Sequence, residues 1–151
     1  MQPFVPPFSE TRAFVAVFST WFISQLLKAL RSYLKKQPSS WVKWLFDTGG
    51  MPSSHSATVS CLASVVGLYF GYRSIFFLIV LIFALITMFD AAGVRRNVGR
   101  QARVLNKMLD ELYEKGAFHE QRLKELLGHT PFEVFAGAFL GILIAYLVCG
   151  L

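Results

Sequence analysis

The chain has 151 residues, of which 54% are hydrophobic and 16% charged, and it carries a formal net charge of +6 at pH 7. That apolar share is more than the core of one soluble domain of this length consumes, so an integral-membrane bundle is expected in place of a water-soluble globule. Cys61 and Cys149 both fall in apolar stretches, away from any Cys/His cluster, which excludes a disulfide framework and reads them as small core fillers.

The head, Met1 to Ser9, holds three prolines and is expected to be an irregular interfacial lead-in. The first candidate span, 13–34, is the weakest, because Ser19, Thr20, Ser24, Gln25 and Lys28 interrupt it. It lacks the charged start and small-residue cleavage site of a signal peptide and is read as part of the mature protein. A polar loop follows, with Trp41 and Trp44 among lysines as at a headgroup layer. The second span, 56–72, opens behind Gly49-Gly50-Met51-Pro52-Ser53-Ser54-His55, and the third, 75–92, is apolar on every face. From Asn97 to Glu114 the apolar positions Val98, Ala102, Leu105, Leu109 and Leu112 recur at helical spacing. That stripe suits either an anionic membrane surface or the rest of the protein. Gly116 interrupts the pattern, a helical stretch resumes through His119 to Gly128, and the fourth span, 132–150, completes the chain. The expectation is an all-α, single membrane domain over 1–151, with about four spans and an amphipathic helix in the 93–131 loop.

With four spans, 13 of the 15 basic residues fall on one side, and only Arg12 and Arg73 on the other. Lysine and arginine mark cytoplasmic loops, so both long loops are expected in the cytoplasm and both termini outside. This membrane-facing distribution also argues against a nucleic-acid partner.

Spans two and four then begin on the same side, and a helix start offers unpaired N–H groups and a positive dipole end to an anion. Ser53 suits an N-cap, a role that needs no ligand to explain it. Thr130-Pro131-Phe132-Glu133 has capping-box spacing, which likewise accounts for Glu133. His55 lies in the first turn of one helix and His129 just before the other. Lys28, Arg95, Arg96 and Lys124 can supply the charge that holds a phosphate dianion, although each also suits a snorkelling boundary residue. Lys35 shares a helical face with Lys28, and Asp90 closes the third span on the same side. One imidazole can attack phosphorus while the other protonates the leaving oxygen.

Through Gly49 to Ala57, Asp90 to Asn106 and Leu123 to Gly141, the sequence resembles the small divergent membrane branch of the type-2 phosphatidic acid phosphatase and vanadium-haloperoxidase superfamily. Pro52-Ser53-Ser54-His55 matches the second motif of that superfamily, with serine in place of glycine. The resemblance implies that His55 is the general acid and that Ser53, Ser54 and nearby backbone groups bind phosphate. It implies that His129 is the nucleophile and Glu133, in place of aspartate four residues later, its orienter. The third-motif arginine position holds Leu123, flanked by Arg122 and Lys124, and the first motif is reduced to Lys28 and Lys35. The implied activity is a phosphatase without metal or other cofactor, acting at the cytoplasmic leaflet on a phosphorylated lipid or isoprenoid diphosphate through a phosphohistidine. Rival readings are a catalytically lapsed scaffold that binds an anionic lipid or a protein, and an Mg²⁺ enzyme using Asp90 and Glu133. Four short spans make a thin bundle, so a homodimer is a further expectation.

Overall fold

The computed structural model describes residues 8–34, 50–113 and 129–150, the side chains of 94–96 and 111–113 excepted. The proline-rich head before Phe8, the Trp41 and Trp44 loop and the helical stretch through His119 lie outside the described residues.

Among the described residues five α-helices follow one another: α1 (Glu10–Leu34), α2 (Ser54–Phe70), α3 (Ile75–Phe89), α4 (Arg95–Tyr113) and α5 (Pro131–Cys149), with a π-helical segment, Asp90–Val94, between α3 and α4. No strand occurs among the described residues. Three helical runs there are long and apolar enough to cross a membrane: Glu10–Leu34, Ile75–Asp110 and Pro131–Cys149. Helix α2, with 17 residues, spans only about 25 Å at 1.5 Å per residue. It nevertheless runs beside α5 from end to end. Ser53 N donates to the Glu133 carbonyl at one end, and Cys61, Val65 and Tyr69 share a core cluster with Ala145 and Cys149 toward the other. Helix α2 thus lies parallel to a neighbour that is long and apolar enough to cross a membrane.

Helix α1 runs antiparallel to α2. Its start packs Ala13, Ala16 and Val17 into the Tyr69 and Cys149 cluster, while its later turns bring Lys28 to Ser54. The polar residues that weaken its hydropathy are the ones it buries: Thr20, Ser24 and Gln25 face inward with Ala16 and Ala29. The Thr20 and Ser24 hydroxyls donate to the Ala16 and Trp21 carbonyls, each at 2.7 Å. Phe14, Phe18, Phe22, Leu26 and Leu30 cover the outside. Such a surface is costly in water and ordinary in lipid, where small residues rather than apolar contrast bring helices together.

The closest approach lies between α2 and α5. A Cβ on Gly137 would meet the Ser53 carbonyl, and one on Gly141 the Ala57 carbonyl and Cys61 nitrogen. Gly137 and Gly141 thus form the small-residue spacing of a tight membrane helix pair. Helix α2 ends at Gly71, whose φ of +86° reverses the chain. Tyr72 in that turn lays its ring over Gly67 and meets the Tyr146 hydroxyl at 2.6 Å, joining the α2–α3 hairpin to α5. Helix α3 returns along α2 through Ala84, Phe77, Val80 and Met88, and Ser60 donates to the Met88 sulfur at 3.8 Å.

Several boundaries differ from expectation, the starts of α1 at Glu10 and α5 at Pro131 among them. The second span stops at Phe70, because Gly71 and Tyr72 belong to the turn. Helix α4 starts directly from the π-helical segment at Arg95 instead of at Asn97. Its buried line is Gly99, Ala102 and Asn106, whereas Val98 and Leu105 of the expected stripe are exposed.

Gly141→Ala should lower the stability of the detergent-solubilised protein by about 1–3 kcal/mol through overpacking. Gly93→Ala, whose added Cβ meets nothing within 4 Å, should change it by less than about 0.5 kcal/mol. Thermal unfolding of the two variants side by side checks this contrast.

Candidate active site

The parallel course of α2 and α5 sets their starts at one end of the bundle. Ser53 caps α2: its hydroxyl accepts from Ser56 N at 3.4 Å and from Ser56 Oγ at 3.1 Å. Its own N–H goes to the Glu133 carbonyl at 3.1 Å. Ser53 is fully buried, so its geometry is that of a cap and a pin between helices. Thr130 caps α5 in a complete capping box: Glu133 N donates to Thr130 Oγ1 at 3.3 Å and Thr130 N to Glu133 Oε2 at 3.0 Å.

These caps bring His55 and His129 together, with ring centroids 6.3 Å apart and planes inclined at 58°. His129 is 1% exposed, and His55, half-buried, forms the more open side. Glu133 Oε2 stands 3.4 Å from His129 Nδ1. A carboxylate only accepts, so Nδ1 is the donor in this pair, and the tautomer it favours leaves the lone pair on Nε2. The same oxygen therefore serves the capping box and the imidazole.

The main chain of His129 is held from the opposite direction: its N–H donates to the Ala91 carbonyl of the π-helical segment at 3.1 Å. A π-helical register displaces the ordinary i→i−4 ladder, and here it coincides with a contact between the α3–α4 junction and the candidate nucleophile. Asp90, half-buried, opens this segment. Lys28 reaches the site from α1, where its Nζ donates to Ser54 Oγ at 3.0 Å.

The structure thus gathers Lys28, Ser53, Ser54, His55, His129 and Glu133 at one end of the bundle, with Asp90 in the adjoining segment. Arg95 and Arg96 form the first turn of α4 next to it, and their side chains are outside the described residues, as are Lys35 and Lys124. Among the described residues no group of three or more His, Cys, Asp or Glu side chains is arranged to hold a metal ion. Two contributors escaped sequence reasoning. Ala91 acts through its carbonyl, for which side-chain type gives no signal. Gly137 admits the Ser53 backbone, and the Gly137 to Gly141 spacing was a usable signal for it.

Sequence comparison adds the family context. The profile described as the divergent PAP2 family matches residues 9–144. A protein of Bacillus subtilis (strain 168), described as an uncharacterized membrane protein, YuiD, is 43% identical over 132 residues, which cover 80% of this chain and 83% of the relative. No solved structure matches the chain. The chain is a membrane protein and belongs to the divergent PAP2 family.

Replacing the cap hydroxyl by Thr130→Ala should cost about 1 kcal/mol. Chemical denaturation in detergent measures the loss, and the histidine side-chain NMR signals of His129 should shift with it, because the capping carboxylate also touches that ring.

Proposed function

We propose that this member of the divergent PAP2 family is a metal-independent membrane phosphatase that hydrolyses a phosphorylated lipid or an isoprenoid diphosphate through a phosphohistidine intermediate. The observation that carries the reading is the approach of His55 and His129 to 6.3 Å at the common start of two parallel helices, with a carboxylate on the far nitrogen of His129.

His129 Nε2 attacks the phosphorus atom as the bond to the leaving oxygen breaks, and His55, protonated at the outset, gives its proton to that oxygen. Glu133 holds the Nδ1 proton and so favours the positive ring that develops as Nε2 becomes bonded. A water molecule then attacks the phosphorus of the phosphohistidine. His55, now neutral, accepts its proton, the N–P bond breaks and inorganic phosphate leaves. Lys28, Arg95, Arg96 and Lys124 carry the positive charge that offsets the equatorial oxygens of the transition state.

The apolar outer surface of the helices favours a substrate that stays in the bilayer. The site belongs on the cytoplasmic face, as the distribution of charge supports: Arg12 and Arg73 stand at the far end of the bundle, and Lys28 and Arg31 at the site end. Leucine at position 123, where the superfamily places an arginine, favours a second reading. In it the same seat holds an anionic headgroup without hydrolysing it.

Purified protein in detergent should release inorganic phosphate from phosphorylated lipids in the presence of a chelator. His129→Ala and His55→Ala should each abolish release, and Glu133→Ala should lower it about 10–100-fold. Undiminished turnover in both histidine variants overturns the mechanism. Binding without turnover across phosphorylated lipids selects the second reading.

A further inference from the structure

The superfamily pattern has glycine where this chain has Ser54, and this serine is more than a filler. It is the first residue of α2 and is 5% exposed. Its carbonyl accepts from Thr58 Oγ1 at 2.8 Å, so its main chain is locked into the first turn. Its hydroxyl is therefore carried on a fixed main chain, one residue before His55. Lys28 arrives from another helix on a flexible four-carbon stem and carries a compact charge with no preferred direction. One hydrogen bond fixes its end, and one backbone turn lies near its stem. Gly50, at a φ of +94°, lies near it: a Cβ there would be 4.0 Å from Lys28 Cγ. Ser54 Oγ accepts from Nζ at 3.0 Å.

We infer that Ser54 is the positioning residue for Lys28: its hydroxyl anchors the ammonium at the start of α2, and the pair forms the part of the seat that binds a phosphate group. The ligand class is a phosphate monoester, a terminal phosphate or inorganic phosphate itself. An ammonium has three donors, so the bond to the serine hydroxyl is compatible with a bond to a phosphate oxygen. Serine at this position thus restores part of the directionality that a planar arginine fork provides and a lone lysine lacks. The inference rests on the phosphate-binding part of the proposed function and does not require turnover.

The test is a double-mutant cycle read by calorimetric binding of inorganic phosphate to the purified protein in detergent, with thermal unfolding as a check on folding. A hydrogen bond to a charged group is worth enough that Ser54→Ala and Lys28→Ala should each weaken phosphate binding about tenfold or more. The double variant should be no weaker than Lys28→Ala alone by more than about twofold, because the serine acts through the lysine. Ser54→Gly, which removes the hydroxyl with no new group, should reproduce Ser54→Ala. Where a short-chain phosphatidic acid is hydrolysed, KM should rise with the dissociation constant while kcat falls less. Independent, multiplicative losses in the double variant overturn the inference, as does a Ser54→Ala protein that binds phosphate like the parent or a parent that binds none. A parent that binds phosphate, obeys the cycle and hydrolyses nothing sustains the inference while rejecting the phosphatase reading.

Discussion

One peptide contact fixes the relation between the two helix starts: the Ser53 N–H to the Glu133 carbonyl at 3.1 Å. It forms only because Gly137, one turn further along α5, has no side chain to hold the Ser53 backbone away. Glu133 then works at three points. Its carbonyl takes the neighbouring helix, its N–H and carboxylate close the capping box, and the same carboxylate oxygen reaches the ring of His129. Cap, helix pairing and imidazole orientation therefore share one residue. A substitution that disturbs any of them disturbs the others, so such energies will not add.

The bilayer explains why the interior of so small a bundle is built from serine, threonine, glycine and alanine. Hydrocarbon outside gives large apolar side chains no reason to turn inward, so they face lipid, and the small ones let backbones approach. The inward residues of α1 and α2 are largely of this kind: Ala16, Thr20, Ser24 and Ala29 on one, Ser56, Ala57, Ser60 and Ser64 on the other. The Thr20 and Ser24 hydroxyls bond to carbonyls of the preceding turn, that of Ser56 to the Ser53 hydroxyl, and that of Ser60 across the bundle to Met88. A polar group in the membrane is costly unless satisfied, and local back-bonding satisfies it without demanding a partner helix.

How much of this was legible before the coordinates depends on what each feature is made of. The helical class and the apolar runs follow from side-chain hydropathy, and both caps from the Ser53 and Thr130 contexts. The meeting of His55 with His129 was accessible because counting spans puts both helix starts on one side, an inference from topology that no local pattern contains. Hidden features were those carried by backbone. The π-helical turn at Asp90–Val94, the Ala91 carbonyl under His129 and the Lys28 to Ser54 bond leave no periodic signal. In α4 burial follows the small residues Gly99 and Ala102 and the amide Asn106, so of the two faces the expected stripe could serve, Val98 and Leu105 do not pack on the rest of the protein.

The π-helical junction joins two environments. On one side of it α3 presents an apolar surface suited to lipid; on the other, α4 carries Arg100, Arg103 and Lys107. The carbonyl that holds the His129 backbone belongs to this hinge point and not to either rod. Because the Ala91 carbonyl accepts from the His129 N–H, a change in the register of the Asp90–Val94 turn bears directly on the main chain that carries this imidazole, without passing through the seam between α2 and α5.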